Sequence, residues 1–257
     1  MSVSLRITFL GTGTSSGVPM IGCHCDVCSS TDQKDKRLRS SVLIESPETK
    51  LVIDTTPDFR TQMLRISNDT LNAVLFTHPH KDHIGGLDDI RPYNYFMQQP
   101  MNVYANAMTT ESLMREFAYA FADKKYPGIP EINLITIDET PFQIGDIPVT
   151  PIQVWHHKMP VFGYRLGDFT YITDANRIDD SEKEKIKGSK IMVVNALRRE
   201  EHISHFTVDE ATALVNELKV PQAYFTHISH QLGKHNEVNA TLPGHIRLAY
   251  DGLAIDC

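Results

Sequence analysis

The densest chemistry in the chain is Thr77-His78-Pro79-His80-Lys81-Asp82-His83. Four potential metal ligands fall within six residues, directly after the apolar run Ala73–Phe76 and just before Gly85-Gly86. Imidazole and carboxylate together suit zinc, manganese or iron rather than calcium, which takes oxygen ligands alone. Pro79 interrupts regular strand pairing and favours a turn that can aim these side chains inward. Gly85 and Gly86 permit tight backbone where a helix would begin. A second cluster is Gly22-Cys23-His24-Cys25-Asp26-Val27-Cys28. Its three thiolates are one short of a closed tetrahedral zinc site. The fourth ligand is open at this point, His24 being one option, and a redox thiol cluster is the competing reading.

Further candidates are scattered along the chain. His156 and His157 are adjacent after a strand ending at Val154, and neighbouring strand residues point opposite ways, so only one can face a metal. Asp54, Asp174 and His227 each follow an apolar strand. His202 and His205 precede the start of a capped helix; such loop histidines are usually surface residues. Asp54 could orient a ligand histidine or simply cap a loop. Arg39 could meet a phosphate, although a surface arginine is the plainer expectation. Cys257 has no partner in sequence and no expected role.

The elements that must position these groups alternate between strand and helix. Strand-like runs are Ile7–Leu10, Ser41–Glu45, Leu51–Ile53, Ala73–Phe76, Asn102–Tyr104, Asn133–Ile137, Val149–Val154, Tyr171–Thr173, Ile191–Val194, Ala223–Phe225 and Ile246–Ala249. Between them, Thr109–Phe121 places Leu113, Phe117 and Phe121 four residues apart behind a Thr cap. Thr207–Leu218 opens with a capping box of Thr207 and Glu210, and Asp58–Ile66 aligns Phe59, Met63 and Ile66. Ser181–Lys187 is polar and stops at Gly188. Such alternation predicts an α/β chain. Leu-Val-Ile-Asp (51–54) followed by Ala-Val-Leu-Phe-Thr-His (73–78) is echoed by Tyr-Ile-Thr-Asp (171–174) and Gln-Ala-Tyr-Phe-Thr-His (222–227). The echo predicts two similar halves, each delivering polar residues at strand ends.

Bulk properties narrow the partners. The 257 residues carry no low-complexity linker and are read as one domain, 1–257. A net charge of −7 offers no basic face for long nucleic acid, though it leaves room for a small phosphate ester in a locally positive pocket. No apolar run approaches a membrane span, and the N-terminus lacks a signal-peptide pattern, so a cytoplasmic address without membrane contact is expected. A homodimer is compatible with all of this.

The His-x-His-x-Asp-His string resembles the signature of metallo-β-lactamase fold hydrolases, and the resemblance runs from Thr8-Phe9-Leu10-Gly11-Thr12-Gly13 to Tyr250-Asp251-Gly252. It implies a four-layer αββα sandwich and two catalytic divalent metals, zinc or manganese. On that resemblance His78 and His80 hold one metal, Asp82 and His83 the other. Asp174 bridges, His227 completes the second site, and the spacing to Gly163-Tyr164 favours His156 over His157 for the first. The cysteine loop is similar to that of the phosphoribosyl 1,2-cyclic phosphate phosphodiesterases of this fold. There a separate structural zinc is closed by a histidine three residues after the C-terminal ligand, which implies Cys23, Cys25, Cys28 and His230. The same branch implies a non-ligand catalytic histidine, His205 with His202 as backup. The expected reaction is attack of a metal-bridging hydroxide on a small, cyclic ribose phosphodiester, with His205 protonating the leaving alkoxide or holding the pentacovalent anion. The alternatives are a tRNA 3′-end endonuclease, an acyl or thioester hydrolase, and a non-enzymatic metal-binding scaffold.

Overall fold

The computed structural model describes residues 3–122 and 126–257. The first six strands are β1 (Arg6–Gly11), β2 (Ser41–Glu45), β3 (Lys50–Ile53), β4 (Ala73–Leu75), β5 (Met101–Ala105) and β6 (Ile132–Thr136). Then come β7 (Phe142–Ile144), β8 (Ile147–His156), β9 (Met159–Leu166), β10 (Phe169–Tyr171), β11 (Ile191–Asn195), β12 (Gln222–Thr226), β13 (Ile246–Leu248) and β14 (Ala254–Asp256). They form two seven-stranded sheets, ordered β14-β1-β2-β3-β4-β5-β6 and β13-β12-β11-β10-β9-β8-β7.

Period-two alternation explains the layering, because each strand feeds two different cores. On β3, Leu51 and Ile53 face the space between the sheets, while Val52 faces outward under a helix. On β11, Ile191 and Val193 point into the same central layer, whereas Met192 and Val194 pack outward. The outer face of the first sheet is covered by helices Phe59–Ile66 and Ala107–Glu116 through Phe59, Met63 and Leu113. Helices Asp180–Ile186 and Val208–Glu217 cover the second through Ile186, Ala211, Leu214 and Val215. Helix, sheet, sheet, helix is the αββα sandwich that was expected.

The two halves repeat one topology. In each sheet an antiparallel meander leads into three parallel pairings, β3-β4-β5-β6 in one and β10-β11-β12-β13 in the other. Asp54 follows β3 and Asp174 follows β10, both in left-handed backbone at φ 65 and 54. The Thr-His part of the sequence echo is offset: His78 follows β4, but His227 follows β12 rather than β11, the counterpart of β4. The halves are therefore alike in topology, while the second string falls one strand further on.

Some expected elements are redrawn. The Thr109–Phe121 helix starts at Ala107, capped by the Asn106 side chain accepting from Thr109 N, and breaks at Phe117 before Ala118–Phe121. The capping box of Thr207 and Glu210 is present. β9 was not among the expected strands; Pro160 and Gly163 are residues that argue against one. Gly163 is needed there: a Cβ would sit 2.8 Å from Ile172 Cγ1 and 3.0 Å from Tyr171 O. β14 pairs antiparallel with β1, and Asp251 just before it accepts from Leu38 N and Thr12 Oγ1, both at 2.8 Å. No helix among the described residues is long and apolar enough to cross a membrane.

Candidate metal centre

Strand ends and two tight connections bring the predicted residues to one rim of the sandwich. After β4 the chain runs through Phe76 and Thr77 to fully buried His78. There Phe162 N donates to Thr77 O and the Tyr164 hydroxyl to Phe76 O, pinning this stretch to β9 of the other sheet. Pro79 turns the chain, His80 stands just before the short helix Lys81–Ile84, and that helix presents Asp82 and His83. His156 ends β8, and Asp174 and His227 follow β10 and β12.

Two triads result. His78, His80 and His156 offer ligand atoms all within 4.8 Å of one another, and Asp82, His83 and His227 do the same. Asp174 stands between them. Its Oδ2 lies 3.2 Å from His83 Nε2 and its Oδ1 3.2 Å from His227 Nε2, and it also groups with His78 and with His156. Of the adjacent pair, His156 is the one in the cluster. His157 is exposed at the hairpin tip, with φ 57.

The imidazoles are aimed from behind. Asp54, fully buried, accepts from Thr77 N at 2.9 Å, from Thr77 Oγ1 at 2.8 Å and from His83 Nδ1 at 2.7 Å. Thr77 Oγ1 spends its proton on Asp54, so at 2.9 Å it accepts from His78 Nδ1. His156 Nδ1 donates to Ser204 O at 2.8 Å. With the Nδ1 protons held in these bonds, Nε2 is the nitrogen that His78, His83 and His156 turn toward the cluster. Thr77 and the Ser204 carbonyl carried no functional expectation. The Phe-Thr-His string was the available signal for Thr77, but Thr226 in its second copy contacts Ser40 Oγ instead.

Electrostatics and hydrogen bonding mark the cluster as incomplete without a cation. Burial lowers His78 well below its ordinary value, helped by neighbouring His83. Burial would lower His83 too, but Asp174, Asp82 and Asp54 outweigh it and hold that ring well above the usual histidine range. Asp174 is likewise buried, yet His227 and His83 keep it well below the usual carboxylate range. Among the described residues, His83 Nε2, His227 Nδ1 and Nε2, and His205 Nδ1 are buried without a hydrogen-bond partner. Buried ring nitrogens without partners, those of His83 and His227 lying 3.2 Å from Asp174, are what a pair of divalent ions would satisfy. The donor set therefore fits such ions.

His205 sits beside this cluster, 8% exposed, with ring centroids 4.7 Å from His156 and 4.8 Å from His227. Its Nδ1 is 3.7 Å from Asp174 Oδ1. Burial lowers it to about 3, Asp174 opposing and His227, His156 and His202 adding, so the ring is neutral. His202 lies behind it at 5.0 Å, its Nδ1 accepting from Ser204. Arg39 pairs with Asp58 at 2.9 Å and donates to Ser15 O, so it closes a loop. Cys257 packs against the central core.

The cysteine loop also closes. Cys23, Cys25, Cys28 and His230 offer ligand atoms within 4.8 Å of one another, with His230 Nδ1 at 3.5 Å from Cys23 Sγ and 3.3 Å from Cys25 Sγ. Metal–ligand lengths of about 2.3 Å for sulfur and about 2.0 Å for nitrogen at tetrahedral angles give edges of about 3.5 Å. All four cysteines are free thiols. The Cys28 backbone N–H and His230 bring Cys25 down to about 6, while burial pushes Cys28 up to about 11. His24 is not in the group. His230 lies three positions after His227, and Ile228 between them bonds Thr12 and Thr14. The cysteine loop, the segment just after β1 and His227 are thus tied together.

The sandwich and its rim of histidines and carboxylates define a metal-dependent hydrolase. The chain belongs to the β-lactamase superfamily: the family model described as a beta-lactamase superfamily domain matches residues 49–228, which include every member of both triads. An octanoyltransferase of Porphyromonas gingivalis is 40% identical over 252 residues, 97% of this chain and 51% of that protein, so the chain spans about half the length of that relative. A crystallised diphosphatase of the PhnP family superposes with a TM-score of 0.94 at 38% identity, covering 100% of this chain and 98% of that one. Zinc-bound PqqB from Methylobacterium extorquens, at 19% identity and TM-score 0.79 over 98% and 100% of the two chains, shares the fold.

Proposed function

We propose that this chain is a phosphodiesterase acting on a small, cyclic ribose phosphodiester. In this reading His78, His80 and His156 hold one divalent metal, Asp82, His83 and His227 a second, and Asp174 both. Zinc or manganese suits these donors, and a separate structural zinc suits Cys23, Cys25, Cys28 and His230. When bound, such a metal pair lowers the pKa of water and offsets charge developing on phosphoryl oxygens.

The protein's own groups supply orientation and one further donor. Asp54 and Thr77 fix the rings of His83 and His78, and Ser204 O fixes His156. His205 is the observation that carries the phosphoryl reading. It is buried on the wall of the cluster, both triads are complete without it, and its Nδ1 faces Asp174 with no hydrogen-bond partner. An acyl hydrolase needs no extra donor at that position, whereas a phosphoryl group spreads charge over several oxygens that want donors. Because burial holds His205 neutral, it acts as a fixed N–H donor to that charge rather than as a store of protons. Of the two roles anticipated for it, holding the anion is the better supported.

The diphosphatase neighbour supports a related second reading, hydrolysis of a phosphoanhydride, since the same donors suit that phosphoryl charge. The octanoyltransferase name describes a protein about twice as long, and the half beyond the shared region can carry that activity. The test is turnover of the metal-loaded protein on a ribose cyclic phosphate, bis(p-nitrophenyl) phosphate, a dinucleoside diphosphate and an octanoyl thioester. Phosphoryl turnover that His205→Ala lowers by about 10²–10³, with metal content unchanged, supports the reading. Hydrolysis of the thioester alone overturns it.

A further inference from the structure

His205 is carried on an irregular loop whose tip makes few bonds to the rest of the protein. At the base, Leu197 N donates to Phe206 O and Phe206 N to Ala175 O. Arg198 folds back on the loop itself, to Glu200 O and Glu201 O. Ile203 at the tip is 68% exposed. Among the described residues, two hydrogen bonds tie residues 200–204 outward. One is His156 Nδ1 to Ser204 O, made by a member of the first triad. The other is Asn176 Nδ2 to Ile203 O at 3.0 Å.

Asn176 has a second bond of opposite sense. Its Oδ1 accepts from His157 N at 2.8 Å, at the tip of the β8–β9 hairpin, where His157 takes left-handed backbone. Both partners are backbone groups, one a donor and one an acceptor, so they fix which way the amide points. The Asn176 main chain joins the same hairpin, N–H to Trp155 O. Two residues earlier lies Asp174, and Ala175 between them is bracketed by the Asn195 amide at 2.9 Å on both sides. One short segment therefore holds the shared carboxylate, the hairpin carrying His156 and the loop carrying His205 in a single frame.

We infer that Asn176 is a positioning residue for the hydrolytic reaction: its side-chain amide locks the His205 loop to the hairpin that carries His156. This deepens the phosphodiesterase reading and rests on it. The Asn176 amide supplies an acceptor for His157 N–H and a donor for Ile203 C=O together. Aspartate keeps the first bond and loses the second. A displacement of about 1 Å at a reacting group can cost about 10²-fold in rate.

The experiment compares Asn176→Ala, Asn176→Asp, His205→Ala and the two double variants with His205→Ala in the metal-loaded protein. Hydrogen exchange of the 201–206 amides, read without substrate, should accelerate at least tenfold in both single Asn176 variants. On bis(p-nitrophenyl) phosphate, kcat should fall by about 10- to 10²-fold in each, with metal content unchanged. In the His205→Ala background the Asn176 substitutions should then cost less than twofold, because the two residues act through one interaction. Unchanged exchange overturns the inference whatever the substrate proves to be. So do additive losses, a wild-type kcat in Asn176→Asp, or loss of metal from the variants. If wild type cleaves no phosphoryl substrate while loop exchange still responds, the functional reading fails and the lock stands.

Discussion

Replacing Asp54 by Asn tests whether the rear carboxylate sets the protonation pattern of the metal-facing rings. Asp54 is fully buried and takes three hydrogen bonds on two oxygens, two of them on the oxygen that meets Thr77 Oγ1 and His83 Nδ1. Asparagine is nearly isosteric and keeps a carbonyl for Thr77 N. Its amide NH2 then confronts His83 Nδ1–H. The cheapest resolution is to give up the Nδ1 proton and keep the one on Nε2, which faces Asp82 and Asp174 at 3.2 Å and resists displacement by a metal. Orienting partners of this kind are worth about 10–100-fold in metal affinity, or roughly 1.4–2.7 kcal/mol. Asp54→Ala should instead leave buried donors unsatisfied at about 1–3 kcal/mol each and lower the melting temperature of the metal-free protein. Competition against a calibrated chelator gives the affinities, and nitrogen shifts of His83 report the tautomer. Wild-type affinity in Asp54→Asn with the tautomer unchanged would refute the reasoning. Equal destabilisation of the metal-free fold by both substitutions would show that Asp54 is a packing element only.

The metal-free protein should release a proton on binding divalent metal. Asp174, Asp82 and Asp54 outweigh burial and keep His83 charged at neutral pH, so metal must displace its Nε2 proton. Affinity then rises with pH up to the folded-state value of His83, and calorimetry in two buffers of different ionisation heat counts the proton. By the same shift, the charged ring stabilises the metal-free fold fully below the unfolded value near 6.5, and that stabilisation is lost as pH rises through the higher folded value. Cys25→Ser should remove one zinc per chain and lower the melting temperature by several degrees, with the catalytic ligands intact; unchanged zinc content by elemental analysis counts against the Cys3His site. His156→Ala should abolish turnover and weaken one metal, while His157→Ala, which keeps the backbone N–H bonded to Asn176, should cost less than threefold in kcat. The reverse order in a side-by-side assay would exchange the two assignments.

What could be read from sequence was local. The His78–His83 string packs its ligands into six residues, so chain connectivity alone places them together. His230 was reached only through the family resemblance, which places a zinc ligand three residues after His227; it meets the cysteine loop from more than 200 residues away. What was hidden depends on pairings distant in sequence. Which of His156 and His157 joins the cluster follows from the β8–β9 hairpin, and Pro160 and Gly163 disguised its second strand. The carbonyl that aims His156 belongs to Ser204, 48 residues away, and main-chain groups carry no sequence signal. Arg39 looked available for phosphate because its partner Asp58 lies 19 residues on, beyond a strand pair. Asn176 stood in plain view beside Asp174, yet its two partners are backbone atoms of the hairpin and loop.

The pairing of β14 with β1 sets an order of events during synthesis. Thr12 meets Asp251 across 239 residues, and Ile7 meets Ile255 still later. At about 5–20 residues per second, the first strand leaves the ribosome roughly 12–50 s before its outer neighbour exists. Through that interval it can pair with β2 on one side only, and its other edge, with Ile7 and Phe9 facing the future central layer, is open to foreign strands. Completing this sheet is therefore a late, long-range step, and that edge of β1 stays open until β14 pairs with it.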